Sequence, residues 1–506
     1  MHETRESADY ALALLQVGRD ERARDILDAL LDLQVTDPVA EHYGLWGYFL
    51  EEPPHQMAPA DWNWADFIGI RLAQVLAVHD DRLTPALRAR LREGLRHAAM
   101  SVFRRNVGPQ YTNIALLGAV TAAAAGELLE QGHLLDYARR RLDALLARLA
   151  EDGGFAEYNS PAYSPFLLEI VERAALIVRD QDFLGAAERL RLRVWETIAE
   201  RFHPGTGQLA GPHARAYADW LRPGLVDYLS AQTGAPIEVR ERGSDDGDLT
   251  PRLMPSLPCP PHVARRFAAL PQERVQVRTT FGAGPRGPVT GTTWLTGDAC
   301  LGTASEEFAW TQRRPLIGYW RTPEDPAVVL RARMTLNGHD LSAAWCTQAQ
   351  DGPKALSAWW LSYDSGDFHP NLDKPAGSVF DVGELRLLVS LRGRGVSGED
   401  LGGGRFALAA GERRAVVHTA PASFLGEPAS WELAKDGDEV RAEVLLHAEP
   451  RRPVDFHTAL LRAAFAVELL APGEDPSVDM LGLSDLCWRW GGLAVEIPER
   501  PLPFDA

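Results

Sequence analysis

The run Asp152-Gly153-Gly154-Phe155-Ala156-Glu157-Tyr158-Asn159-Ser160-Pro161-Ala162-Tyr163 puts two phenols, an amide and two carboxylates on one stretch marked by Gly and Pro. Phe166, Leu167, Ile170 and Val171 then repeat at helical spacing, and Pro161 is placed like a first-turn proline. The loop therefore ends at a helix start. Upstream, Asn106-Val107-Gly108-Pro109-Gln110-Tyr111-Thr112-Asn113-Ile114 opens another apolar helix in the same way. A third segment, Leu209-Ala210-Gly211-Pro212-His213-Ala214-Arg215-Ala216-Tyr217, carries His, Arg and Tyr at alternate positions after a Gly-Pro turn. In an extended chain these three share a face; in a helix His213 and Tyr217 still do, while Arg215 diverges. A fourth, Asp61-Trp62-Asn63-Trp64-Ala65-Asp66-Phe67, offers an N-cap in Asp61 and flat indole faces of the kind that stack on pyranose rings.

Such residues suit proton transfer beside a carboxylate. β-Elimination from a uronate removes the proton at C5, stabilises the enolate on the adjacent carboxylate, and protonates the leaving oxygen. A tyrosine can act as base, and then as acid, where neighbouring positive charge lowers its pKa. Arg215 is a candidate for that charge, and His213 for protonating the leaving oxygen. Arg105 and Asn106, at a helix end, are candidates for gripping a substrate carboxylate. Gln312 and Arg313, with Arg314, make the Trp310–Trp320 segment the polar candidate of the strand-rich half.

In spacing and residue type these loops resemble the heparinase II/III and alginate lyase group, whose members place an Asn at a helix start ahead of a segment of the form D-G-x-x-x-E-x-S-P-x-Y. The resemblance covers roughly the N-terminal half. It implies that Tyr163 is the catalytic tyrosine and Asn113 the carboxylate-binding amide; His213 and Tyr217 are expected to join them from the character of their own segment. Many members carry His directly after that Asn; here Ile114 stands there, so another donor has to be supplied. Trp62, Asn63, Asp66, Arg105, Asn106, Tyr158, Asn159, Arg215, Gln312 and Arg313 are the expected substrate contacts. The substrate implied is a uronate-containing poly- or oligosaccharide. A glycoside hydrolase using Asp66 and Glu157 is the runner-up, and a non-catalytic glycan-binding protein a third reading.

A chain of 506 residues is too long for one ordinary core, so two domains are expected. Apolar periodicity predicts helices near 5–34, 65–80, 84–104, 112–131, 134–151, 162–181, 183–202 and 214–232. Short β-type runs follow from 275 onward, parted by turns such as Asn337-Gly338 and Asp436-Gly437. The expected architecture is an N-terminal α/α toroid over 1–235, a Gly-, Asp-, Arg- and Pro-rich linker over 236–262, and an antiparallel β-sandwich over 263–506. The toroid-plus-sandwich pairing is also what the resemblance implies. A formal charge of −18 argues against nucleic acid and against an anionic membrane surface. No run is apolar enough to span a bilayer and the N-terminus lacks a secretory layout, so a cytoplasmic location is expected. The four cysteines are far apart and without zinc spacing. Neither a metal nor a cofactor is expected, and the oligomeric state is left open.

Overall fold

The computed structural model describes residues 2–238 and 254–504. Helices come first: α1 (Thr4–Gln16), α2 (Asp20–Asp32), α3 (Trp64–Val78), α4 (Pro85–Arg105), α5 (Thr112–Leu128), α6 (Gly132–Asp152), α7 (Tyr163–Ile177), α8 (Gln181–Arg201) and α9 (Pro223–Thr233). The helix expected over 5–34 is two helices, because Gly18 takes a left-handed φ of 75° and turns the chain between α1 and α2. The helix expected over 214–232 begins only at Pro223. Residues 213–216 form a bent, non-helical segment instead, held by main-chain bonds to Tyr158, Gln312 and Arg314.

Two layers follow from the sequence pattern. The helices α3 and α5 are apolar and buried almost all round, whereas α4 and α6 alternate buried and exposed faces. Thus α1, α3, α5 and α7 form an inner row, each packed on the next odd-numbered helix, and α2 and α4 pack outside it. Residue contacts divide the chain into two compact units that interleave in sequence. The helical unit comprises 2–151, Tyr163–Trp195 and 254–258; the second comprises Asp152–Ala162, 196–238 and 259–504. Residues 239–253, most of the expected linker, lie outside the described residues.

Among the described residues the second unit holds two nine-stranded antiparallel sheets. One runs Trp431–Asp436, Glu439–His447, Leu385–Arg392, Val328–Leu336, Leu316–Trp320, Ala299–Ala304, Gly287–Leu295, Val275–Gly284, with His339–Asp340 beside Val328–Leu336. The other runs Val396–Asp400, Arg405–Ala410, Arg413–Thr419, Leu461–Leu470, Lys354–Leu361, Ala344–Asp351, Glu306–Phe308, with the pair Ala422–Phe424 and Glu427–Ala429 attached at Leu461–Leu470. Register fixes which side chains face in: Leu387 lies opposite Met334 and Val444, and Phe465 opposite Ser357 and Thr419. Leu387, Met334, Val444, Phe465, Trp359 and Val417 meet in one core between the sheets, which makes the pair a sandwich. Each fully buried Val, Leu or Phe there contributes about 1.5–3 kcal/mol. All four cysteines are buried free thiols. No helix among the described residues is long and apolar enough to cross a membrane.

Candidate functional site

In the helical unit the inner helices begin at one end. Trp64 Nε1, in the first turn of α3, donates to Thr4 Oγ1 at the start of α1 (2.8 Å). Asn63 Nδ2, at the N-cap of α3, donates to Tyr111 Oη at the N-cap of α5 (3.2 Å). Phe67 packs on Phe166, in the first turn of α7, with ring centroids 6.0 Å apart. Asn113 and Tyr163 therefore occupy the starts of α5 and α7 at the same end as Trp62, Asn63 and Tyr111. Asn113 is buried and Tyr163 half-buried. Trp62 stacks on His42 at 5.5 Å. Asp61 is not the N-cap of α3; its carboxylate accepts from the Asn63 amide instead (2.9 Å).

Arg105, in the last turn of α4, donates from Nη1 to Asn63 Oδ1 (2.7 Å) and lies 3.9 Å from Asp66 Oδ2. Burial pushes the Asp66 carboxyl up to about 7 against the pull of Arg141 and Arg105. Arg141 spends donors on the Ala115 and Ile114 carbonyls, bracing the start of α5. Asn106 ends α4 in the left-handed conformation, which explains an amide at that position. Two neighbouring arginines are spoken for: Arg71 pairs with Asp9, and Arg104 donates to the Pro38 carbonyl.

A second cluster lies within the sandwich unit, where three segments distant in sequence are zipped by main-chain hydrogen bonds. His213 and Arg314 exchange both backbone bonds, the Ala214 amide donates to the Tyr158 carbonyl, and the Ala216 amide to the Gln312 carbonyl. Ser160 Oγ adds a bond to the Arg215 carbonyl (2.6 Å). This brings together Glu157, Arg215, Tyr217, Trp310 and Gln312. Arg215 Nε donates to Gln312 Oε1 (2.8 Å) and Nη2 to Tyr217 Oη (3.3 Å). Its guanidinium lies 5.3 Å from the centre of the Trp310 ring, with Nη1 3.9 Å from Glu157 Oε1. Trp310 meets His369 edge-on at 5.0 Å. Arg313 is paired with the buried Glu307, whose carboxyl burial pushes up.

The Trp310–Trp320 segment is a candidate on sequence alone, but nothing local links it to His369, since only tertiary folding joins the 310–314 and 366–373 loops. Tyr111 was in plain view, two residues before Asn113.

His213, Tyr158 and Asn159 sit inside the unit. The imidazole of His213 is 3% exposed; burial lowers its pKa to about 4, and Nδ1 meets the Asn159 carbonyl at 2.8 Å. It is neutral at pH 7. Asn159, left-handed at φ 46°, donates from Nδ2 to the Ala210 and Pro212 carbonyls. Tyr158 is 1% exposed, stacked on Phe281 at 4.2 Å, and accepts from Arg201 Nε. Gly291 leaves room for it: a Cβ there would come within 2.5 Å of the Tyr158 ring. Tyr217, at 49% exposed, faces outward. The shared face expected of an extended 213–217 segment is not formed: His213 is buried and Tyr217 exposed, with Arg215 between them.

Among the described residues no cluster of His, Cys, Asp and Glu fits a metal ion. A family model described as a domain of unknown function, DUF8769, matches residues 1–222. No curated protein matches the sequence. Among solved structures, the chain is similar to heparinase III at 9% identity and a TM-score of 0.42, covering 96% of this chain and 80% of that one. A heparinase III with methylated lysines is similar at 10% identity and a TM-score of 0.38, covering 97% and 82%.

Proposed function

We propose that this chain is a carbon–oxygen lyase that cleaves a uronate-containing poly- or oligosaccharide by β-elimination. The observation that carries the reading is the pairing of Asn113 and Tyr163 on the starts of two inner helices at one end of the helical unit, each behind a Gly- and Pro-marked loop. Tyr163 is the residue that takes the C5 proton. Asn113 donates to the enolate as charge develops on the substrate carboxylate, in the manner of an oxyanion-hole amide. Arg215, with Gln312 and Tyr217 beside it and Trp310 beneath it, has the composition of a subsite for an acidic sugar: a fixed cation, neutral hydrogen-bonding groups and an indole face.

The test is a panel of uronate glycans followed by ultraviolet absorbance, which rises only as an unsaturated uronate forms. Tyr163→Phe should cut turnover by at least ~10² with little change in affinity. Reducing sugar released without absorbance would move the assignment to hydrolysis by Asp66 and Glu157. Binding without turnover would leave a glycan-binding protein.

A further inference from the structure

The helical unit holds a second phenol at the same end, and its surroundings suit the opposite half of the reaction. Tyr111 is half-buried, and its oxygen accepts from Asn63 Nδ2 at 3.2 Å. Asn63 has no choice of orientation. Arg105 offers only donors, so the amide oxygen must face Arg105 (2.7 Å) and the NH2 must face Tyr111. Behind Arg105 stands the buried Asp66 carboxyl, 3.9 Å away. A phenol whose oxygen already accepts a hydrogen bond directs its own proton elsewhere. Once that proton leaves, the same N–H, polarised by the guanidinium, supports the negative charge. An acid needs those two properties. His213 lacks the access for that role, being buried with Nδ1 held at the Asn159 carbonyl.

We propose that Tyr111 is the proton donor to the leaving oxygen, with Asn63 and Arg105 as its positioning residues; the assignment rests on the elimination reading above. In the step, Tyr163 as phenolate takes the C5 proton and the C5–H electron pair becomes the C4=C5 double bond. The C4–O bond breaks with its pair passing to oxygen, and the Tyr111 hydroxyl proton transfers to that oxygen. Tyr163 ends as phenol and Tyr111 as phenolate, and each returns to its starting form by exchanging one proton with water.

The test compares two leaving groups. Tyr111→Phe should lose at least ~10² in turnover on a uronate glycan, the size of a lost general acid. On a synthetic uronoside carrying nitrophenoxide at C4, which departs without a proton, the loss should shrink to a few-fold. Tyr163→Phe should lose on both substrates. Asn63→Leu keeps the phenol but removes its donor, and should show the same dependence on leaving group, with a smaller loss; a matching melting curve for each variant guards against misfolding. Full turnover by Tyr111→Phe on the glycan, or an equal loss on both substrates, overturns the assignment while leaving the elimination reading standing. Failure of the wild-type chain to form absorbing product from either substrate overturns both.

Discussion

Two carboxylates, Asp66 buried in one unit and Asp219 largely covered in the other, are pushed in opposite directions. Burial raises Asp66 to about 7, because its arginines stand off: Arg105 approaches only to 3.9 Å and Arg141 is committed to carbonyls. At Asp219 burial pulls upward too, but Arg331, Arg314 and Arg392 bond the carboxylate directly and hold it well below the usual range. The Asp219 carbonyl also receives the Tyr319 hydroxyl. The contrast shows that burial alone does not set the charge of an interior acid; the cations must reach it. Asp219 anchors the loop carrying Arg215 and Tyr217 to the sheet, whereas Asp66 stands behind a polar chain that ends at Tyr111.

The sharpest way to break this comparison is to remove the anchor. Asp219→Ala leaves three arginines facing one another, so thermal unfolding should report a loss of about 3–5 kcal/mol. A loss near zero in the variant would show that the cluster does not hold the fold. The sign of pH dependence separates the two acids next. With its folded pKa raised, Asp66 binds more protons in the folded than in the unfolded chain between about 4 and 7, so it weakens stability as pH rises through that window. Asp66→Asn should therefore gain melting temperature over wild type progressively from pH 4 to pH 7. Asp219, with its folded pKa depressed, contributes stability above about pH 4 that fades as pH falls below it.

Smaller effects sharpen the division between support and contact. Tyr158→Phe strands a donor of the buried Arg201, so chemical denaturation should show a loss of about 1–3 kcal/mol. Turnover of the folded variant should stay unchanged; a collapse would give Tyr158 the proton-transfer role. Arg215→Lys keeps the charge but forfeits the planar contact with Trp310 and the Nε bond to Gln312. Steady-state kinetics should show KM raised about fivefold with kcat nearly constant, the pattern of lost substrate binding.

Helix starts were the most legible feature. The starts expected for the helices at Trp64, Pro85, Thr112 and Tyr163 fall within one residue, since a Gly- or Pro-marked loop followed by an apolar period is a local signal. The sequence segment ending at Tyr163 has one residue more between Glu157 and Ser160 than the D-G-x-x-x-E-x-S-P-x-Y form it resembles. That loop is also where sequence reasoning reached least far, because Tyr158 and Asn159 turn inward to Arg201 and the Ala210 and Pro212 carbonyls. The stretch 213–217 could be helical or extended on spacing alone. Bonds from Tyr158, Gln312 and Arg314 decided it, and no window on the sequence contains all three.

What the sequence determined by itself is the order of helices before strands, the helix starts and the polar residues gathered on them. These follow from periodicity and turn chemistry, which act over a few residues. Tertiary structure alone decided which of those residues stay accessible. A side chain's exposure and charge depend on neighbours brought from far along the chain: Arg201 and Phe281 bury Tyr158, Asn159 fixes His213, and Asn63 with Arg105 prepares Tyr111.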